Sequence, residues 1–105
     1  MIARYWHGVV QLDNEHVFES FLKEKAIPKF DGNPGFMDFN IIKKYDFGTV
    51  HFNVITYWQN YDYIKKFAGK NINRAVYYTE DKNLLLELEE TVKHYEVIDH
   101  ILVGS

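Results

Sequence analysis

The sequence predicts an α+β fold in which four strands and two main helices follow in the order β-α-β-β-α-β. Stretches rich in β-branched and aromatic residues occur near both ends and in the middle of the chain. Between them lie two stretches whose apolar residues recur at helical spacing. A short reversal joins the two middle strands, which makes them an antiparallel hairpin. This order is the ferredoxin-like arrangement, a four-stranded antiparallel sheet with both helices on one face.

The first strand and first helix occupy the N-terminal third of the chain. Residues 2–10 form the predicted strand. Asp13 or Asn14 is predicted to cap the helix, because either side-chain oxygen can accept a free backbone N–H of the first turn. Apolar residues recur through positions 17–22, and Pro28 is expected near the end of this helix.

The middle of the chain reads as a hairpin. The segment 31–35 (DGNPG) concentrates residues that favour turns. Strands are predicted at 36–44 and at 49–58, and residues 46–48 form the reversal between them. The sequence therefore places the second and third strands side by side.

The remaining third is predicted to hold a helix, two shorter helical pieces and a long strand. Asn60 is suited to cap the second helix and Gly69 to end it, since glycine adopts the left-handed backbone without steric cost. Residues 72–78 are expected to add a turn or two of helix, and residues 81–88 a third amphipathic helix. A final strand is predicted over residues 91–103.

The predicted sheet has one face without a helix to cover it. Apolar residues occupy both alternation phases of the third strand: Val50, Phe52, Val54 and Trp58 on one side, Ile55 and Tyr57 on the other. A sheet that is apolar on both faces needs a second cover. We expect a second copy of the chain to supply it, in an isologous homodimer formed through the sheet face.

Composition limits the class of partner. At 105 residues the chain is expected to form one domain over residues 1–105. A net charge of −3 gives no basic field for nucleic acid. No apolar stretch is long enough to span a bilayer and no export signal is evident, so the predicted location is cytoplasmic. The aromatic content of 17% suits a dense core or a cavity for a flat, small aromatic molecule.

Short motifs are spread along the chain. They are Trp6 and Gly8 in a W-x-G start, Pro34-Gly35, His51-Phe52 with Trp58, Phe67 to Gly69 (FAG), Ala75 to Tyr78 (AVYY), Glu80-Asp81, and His94 to Val97 (HYEV). With these motifs the chain resembles the antibiotic biosynthesis monooxygenase family of dimeric α/β barrels over nearly its whole length. The resemblance implies a barrel of two sheets, with one ligand cavity per subunit between sheet and helices. Characterised members include cofactor-free oxygenases of phenolic polyketides, haem-degrading enzymes and enzymes acting on small signalling molecules.

Haem is the one cofactor that the resemblance suggests for this chain. Haem-degrading members bind iron through a histidine after the second helix and ruffle the porphyrin with a tryptophan one element earlier. Counted from Trp58 without gaps, the tryptophan position falls on Phe67 and the histidine position on Tyr77. A tyrosinate can ligate ferric haem, so haem binding through Tyr77 remains the lesser alternative. The main expectation is that no cofactor is used.

The histidines point to acid–base chemistry more than to metal binding. The five histidines show no i, i+4 pair and no carboxylate at a recognisable ligand spacing, so no metal site is predicted. His94 and Glu96 fall on the same strand face, where the carboxylate could orient the imidazole as a general base. A surface ion pair is the alternative reading of these two residues.

The first strand offers two candidate faces to the cavity. Tyr5 and His7 share one face, whereas Arg4, Trp6 and Gly8 share the other. Spacing alone leaves open which face lines the cavity. Gly8 indicates that a bulky group approaches the backbone on the Trp6 side.

These residues suit the oxygenation of a small phenolic or quinol-like substrate without a cofactor. Such a reaction needs a base, a dry aromatic slot and donors that hold the substrate oxygen. The candidate catalytic residues are His7, His94 and Tyr77, and the candidate substrate-binding residues are Arg4, Trp6, Trp58, Phe67, Arg74 and Tyr78. The alternative is core packing for Trp6 and, under the second helix, for Trp58, and a hydrogen-bonded place at the dimer interface for His7. For the Tyr77–Tyr78 pair it is one tyrosine in the core with its hydroxyl reaching solvent, and Arg74 is then simply exposed. A non-catalytic ligand-binding dimer, or an isomerase or lyase on the same fold, is the alternative for the protein.

Overall fold

The computed structural model describes residues 1–103 and has the predicted ferredoxin-like α+β fold. The strands are β1 (Ile2–Gln11), β2 (Phe36–Asp46), β3 (Thr49–Trp58) and β4 (Lys93–Glu96). The helices are α1 (Glu15–Phe21), α2 (Tyr61–Ala68) and α3 (Thr79–Leu84). All neighbouring strands are antiparallel, in the order β2-β3-β1-β4. Among residues 1–103 no helix has the length and apolarity that crossing a bilayer requires.

The core lies between the sheet and the helices. Strands β1 and β3 pair along their whole length, from Ile2 opposite Trp58 to Gln11 opposite Thr49. The most deeply buried side chains come from helices α1 and α2 and from those residues of β1 and β3 that point toward the helices. Six of these side chains have no exposed surface, namely Val10, Phe18, Val50, Phe52, Trp58 and Ile64. The predicted alternation of β3 is therefore correct on this face.

Irregular turns flank the first helix on both sides. The chain enters through a 3₁₀ turn at Leu12–Asn14. Asn14 occupies the N-cap position, as predicted, but its side chain accepts no capping hydrogen bond, so that part of the prediction is wrong. The 3₁₀ turn already redirects the chain from β1 into α1. Beyond α1, a five-residue π turn at Leu22–Ala26 leads into a 3₁₀ turn at Ile27–Phe30. Single π turns inside helices occur frequently at functional sites, and this one lines the cavity described below.

The β2–β3 reversal is a two-residue turn, Phe47-Gly48, with both residues at positive φ, 43° and 80°. Glycine accepts that backbone freely, but phenylalanine is strained there, and its ring is fully exposed at 102%. Two-residue hairpins favour Asn-Gly at these positions.

We expect Phe47→Asn to raise the free energy of unfolding by about 1 kcal/mol, because asparagine tolerates the left-handed region better than phenylalanine. Urea unfolding measures the change. Phe47→Ala is the matched control, since it removes the exposed ring without improving the backbone preference, and it should leave stability near that of the wild type. Equal effects of both substitutions would show that the ring, and not the backbone, carries the cost.

The region after β3 agrees with the sequence prediction only in part. Asn60 caps α2 by accepting the Tyr63 backbone N–H, and Gly69 ends the helix at a φ of 89°. The helical turns predicted over residues 72–78 are wrong. This segment is extended beside residues 90–92, to which it is held by two backbone hydrogen bonds of 2.9 and 2.8 Å. Helix α3 begins two residues earlier and ends four residues earlier than predicted.

The long final strand is also wrong, because β4 ends at Glu96. It pairs only with Ile2–Tyr5 of β1, and the Val97 N–H donates to the Met1 carbonyl at 2.9 Å. After this hydrogen bond the chain leaves the sheet, and residues 97–103 form no strand. Their apolar side chains are exposed, namely Ile98, Ile101, Leu102 and Val103.

The outer face of the sheet, which points away from the helices, is less uniformly apolar than predicted. One end carries apolar and aromatic side chains, which are Ala3, Tyr5, Ile55, Tyr57 and Tyr95. The end nearer the β2–β3 turn is more polar, and carries Lys44, His51, Asn53 and His7 together with the apolar Val9 and Ile42. The two-sided apolar sheet inferred from sequence is thus interrupted by polar side chains in this half of the face.

Candidate active site

A small cavity of about 50 Å³ lies between the sheet and the helical layer. Its walls are mostly apolar and include the side chains of Trp6, Leu22, Ile27, Phe30, Phe67 and Tyr78. Two charged residues interrupt this lining, Arg4 from β1 and Asp81 from α3. The β1 side chains that face the cavity are therefore those of Arg4 and Trp6. The alternative, in which Tyr5 and His7 line the cavity, is wrong.

Gly8 lies directly behind this wall. A Cβ atom at Gly8 would come within 2.4 Å of the Trp6 ring and 2.7 Å of a Leu85 methyl carbon. The predicted close approach of a bulky group is confirmed, and the ring is that of Trp6 itself. Any side chain at position 8 would displace the indole that forms part of the cavity wall.

Arg4 is held by three groups from two parts of the chain. Its guanidinium donates to the backbone carbonyls of Ile72 and Arg74, the latter at 3.0 Å, and lies 3.0 Å from His94 Nε2. The residue is only 4% exposed, and this burial lowers its pKa to about 10, which still leaves it charged at neutral pH. The cavity therefore contains a fixed positive charge.

His94 orients Arg4 and does not pair with Glu96. An arginine can only donate, so His94 Nε2 must accept, which puts the proton on Nδ1, 3.2 Å from Asn73 Oδ1. Burial, and then the neighbouring Arg4 charge, lower the His94 pKa to about 4. The imidazole is thus neutral at pH 7 and already committed to two partners, so the predicted carboxylate-oriented base at this position is wrong.

Asp81 is the acid–base group that the sequence reasoning missed. Its side chain is 3% exposed, and one carboxylate oxygen accepts the Tyr78 backbone N–H at 2.8 Å. Burial raises its pKa to about 6. Asp81 belongs to the Glu80-Asp81 motif, but nothing in its local sequence indicates that the carboxylate points inward.

Four of the remaining predicted site residues, Trp58, His7, Tyr77 and Arg74, lie outside the cavity lining. Trp58 is fully buried beneath it, and its indole N–H donates to Thr56 Oγ1 at 2.8 Å. His7 is on the outer face of the sheet. Tyr77 and the Arg74 side chain line a separate surface groove, where the Tyr77 hydroxyl donates to the Glu89 carbonyl. Phe67 and Tyr78 do line the cavity, as predicted.

The residues present do not fit haem. The cavity of about 50 Å³ is far smaller than a porphyrin. Tyr77, which occupies the expected ligand position, points into the surface groove, and burial raises its pKa to about 12. A tyrosinate ligand needs the opposite shift. Across residues 1–103, moreover, no three His, Asp or Glu side chains are grouped so as to hold a metal ion.

Searches against protein-family models and among curated proteins found no match. Solved structures do resemble the chain, and those below are small α+β proteins. A proposed antibiotic biosynthesis monooxygenase from Bacillus cereus shares 19% identity with a TM-score of 0.58, and 97% of each chain is covered. A second one, from Deinococcus radiodurans, shares 16% identity with a TM-score of 0.61 over the whole of both chains.

A third similar structure is that of the haem degrader MhuD from Mycobacterium tuberculosis, with two haems bound in its active site. It shares 15% identity with a TM-score of 0.61, and the match covers 96% of this chain and 99% of that one. The chain described here therefore has the antibiotic biosynthesis monooxygenase fold. At these identities the likeness concerns the fold, which serves many chemistries.

Proposed function

We propose that the protein is a cofactor-independent monooxygenase that oxidises a small phenolic or quinol-like molecule in the cavity between Arg4 and Asp81. The observation that carries the proposal is a buried carboxyl group with a pKa of about 6, facing the same apolar cavity as a buried guanidinium. The fold adds support, since two of the similar structures are described as proposed antibiotic biosynthesis monooxygenases.

Asp81 is the proposed base. At neutral pH most molecules carry the carboxylate form, because the pKa lies about one unit below. A base is most effective when its pKa lies near the working pH, and an ordinary aspartate is too weak a base for a phenol or an activated CH₂ group. Burial among apolar side chains thus makes Asp81 the stronger proton acceptor that this chemistry needs.

Arg4 is the proposed stabiliser of the substrate anion. Loss of a proton leaves negative charge on the substrate oxygen, and a fixed cation in a water-poor cavity stabilises that charge strongly. Arg4 is already oriented by two backbone carbonyls and His94, so little reorganisation is needed during the reaction. His94, a candidate base from the sequence, takes the role of positioning this guanidinium.

The oxygen step follows from the anion. The substrate anion passes one electron to dioxygen, and the resulting substrate radical and superoxide combine to form a C–O bond. Protonation and loss of water convert the activated CH₂ carbon to a carbonyl, so that one oxygen atom enters the product and the other leaves as water. Trp6, Phe67 and Tyr78 are the proposed aromatic walls that hold the substrate ring and exclude solvent.

Binding of an aromatic ring requires the cavity to widen, because an engineered cavity that holds benzene measures about 150 Å³. The π and 3₁₀ turns at Leu22–Phe30 form one side, and the Tyr78–Asp81 segment forms the other. Two surface contacts join these sides, Lys29 Nζ at 3.8 Å from the Tyr78 ring centre and Lys25 Nζ at 3.3 Å from Glu80. Exposed contacts of this kind are weak, so separation of the two sides is the proposed route for the substrate.

A second copy of the chain is the proposed partner, docked on the apolar end of the outer face. Tyr5 and Tyr95 meet there edge to face at 5.3 Å, beside Tyr57 and the exposed apolar side chains of residues 98–103.

Oxygen uptake in metal-free buffer tests the proposed activity. Incubation with a panel of anthrone- and quinol-type phenols is expected to consume one dioxygen per substrate, faster than the protein-free reaction. Binding without turnover would instead support a ligand-binding protein, and substrate conversion without oxygen uptake an isomerase or lyase. No reaction and no binding across a broad panel would contradict the assignment of this cavity as a substrate site.

A further inference from the structure

The polar end of the outer face brings two histidines into direct contact. His7 on β1 and His51 on β3 are diagonal neighbours, and His7 Nε2 lies 2.9 Å from His51 Nδ1. Both side chains are about one-third exposed, so the pair is accessible from solvent. The proposed reaction does not use either residue, because they lie on the opposite side of the sheet from the cavity.

Each imidazole turns its other nitrogen toward a carboxylate. His7 Nδ1 is hydrogen-bonded to Glu89, and His51 Nε2 lies 3.7 Å from Asp46. A carboxylate on the far nitrogen is the usual environment of a metal-bound histidine, because it fixes the tautomer and makes the near nitrogen a better electron donor. The Glu89 contact in particular puts the His7 proton on Nδ1, so His7 Nε2 accepts a hydrogen bond from His51 Nδ1. A metal ion would displace that proton, and His51 Nε2, which faces Asp46, can carry it instead.

The separation of the two facing nitrogens is close to that of a metal site. Tetrahedral coordination with bonds of 2.0–2.1 Å places two nitrogen ligands about 3.3 Å apart. The observed 2.9 Å would have to widen by a few tenths of an ångström, which needs a small rotation of two partly exposed rings. Both side chains project from paired strands of the central sheet, which hold their Cα atoms at a fixed spacing.

We propose that His7 and His51 form a two-histidine site for a divalent transition metal ion, with water completing the coordination. Imidazole ligands favour Cu²⁺, Ni²⁺ and Zn²⁺ over Mg²⁺ or Ca²⁺, and Cu²⁺ binds most tightly of these. Glu89 and Asp46 also partly offset the charge of the ion. The site is independent of the cavity reaction, and it escapes a search for i, i+4 histidines because its ligands are 44 residues apart.

Copper titration of the full-length protein tests the site. We expect one Cu²⁺ per chain, with an electron paramagnetic resonance spectrum that shows hyperfine splitting from two imidazole nitrogens. His7→Gln and His51→Gln should each weaken binding about tenfold or more, since each removes one of two nitrogen ligands. His16→Gln is the matched control, because His16 is exposed on α1 and should leave the affinity unchanged.

Two results would overturn the proposal. One is the lack of saturable binding at about 1 mM metal, which is the weak end of specific affinity. The other is binding whose affinity survives both histidine substitutions, which would place the metal elsewhere. Circular dichroism checks that the variants are folded, and the nitrogen count in the wild-type spectrum does not depend on any variant. Neither result bears on oxygen uptake, which is measured in metal-free buffer.

Discussion

Replacing Asp81 with asparagine is expected to lower kcat about 100-fold or more, the usual contribution of a positioned general base, while the fold is retained. Asparagine has nearly the same shape, and its side-chain oxygen can still accept the Tyr78 N–H that Asp81 accepts at 2.8 Å. What it cannot do is take a proton from the substrate. The loss should therefore fall on kcat, with a smaller change in KM.

Ionisation of Asp81 with rising pH should raise the activity and lower the stability of the protein. Burial raises the Asp81 pKa from 3.8 to about 6, so the native state binds this proton more tightly than the unfolded chain. Between these two values the native state holds more protons, and the free energy of unfolding falls as pH rises. Activity rises through pH 6 instead, because only the ionised carboxylate can act as a base.

The residual kcat of the Asp81→Asn variant should therefore no longer rise with pH near pH 6. At pH 8 this variant should also melt at a higher temperature than the wild type. Thermal unfolding at pH 4.5 and 8, together with kcat between pH 5 and 8, measures both effects. Glu87→Gln is the matched control, since Glu87 is an exposed carboxylate that does not line the cavity. Wild-type kcat that stays level between pH 5 and 7, or full activity in Asp81→Asn, would contradict the assignment of Asp81 as the base.

The parts of the fold that sequence reasoning predicted correctly depend on local rules. The β2–β3 hairpin follows from a short reversal between two apolar strands, and Asn60 caps α2 through a contact three residues away. The inward phase of β3 follows from strict alternation. In each case the interacting groups are close in sequence, so their spacing carries the information.

The incorrect predictions of the fold concern segments whose structure depends on residues far away in the sequence. Strand β4 pairs only with Ile2–Tyr5 of β1, and nothing within residues 91–103 encodes where that pairing ends. The segment 72–78 is held out of a helical conformation by backbone hydrogen bonds to residues 90–92. Tertiary pairing thus overrides a local preference in both places, for strand after Glu96 and for helix over residues 72–78.

The candidate site was predictable to a similar extent. The motif around Trp6 and Gly8 indicated a crowded wall, and Arg4 was placed on the same face by alternation. Whether that face points inward is decided by the packing of the helices, which spacing does not show. Asp81 was missed for the same reason, because its carboxylate is buried by the packing of α3 against the rest of the chain.

Trp58→Ala is expected to cost about 3–5 kcal/mol of unfolding free energy, the range for large aromatic residues removed from a core. Trp58 has no exposed surface and packs among the rings of Phe30, Phe36 and Phe67, with centroids 5.6–5.7 Å away. Its indole N–H also donates to the hydroxyl of Thr56, which would lose that partner. Urea unfolding of the wild type and the variant measures the difference.

Trp58→Phe separates packing from hydrogen bonding, because it keeps an aromatic ring and removes the indole N–H. We expect it to cost less than half as much as the alanine variant and to leave KM nearly unchanged. A residue that formed part of the substrate wall, as the sequence suggested for Trp58, would behave differently. Its substitution by phenylalanine would raise KM with little loss of stability, and that result would move Trp58 from the core into the binding site.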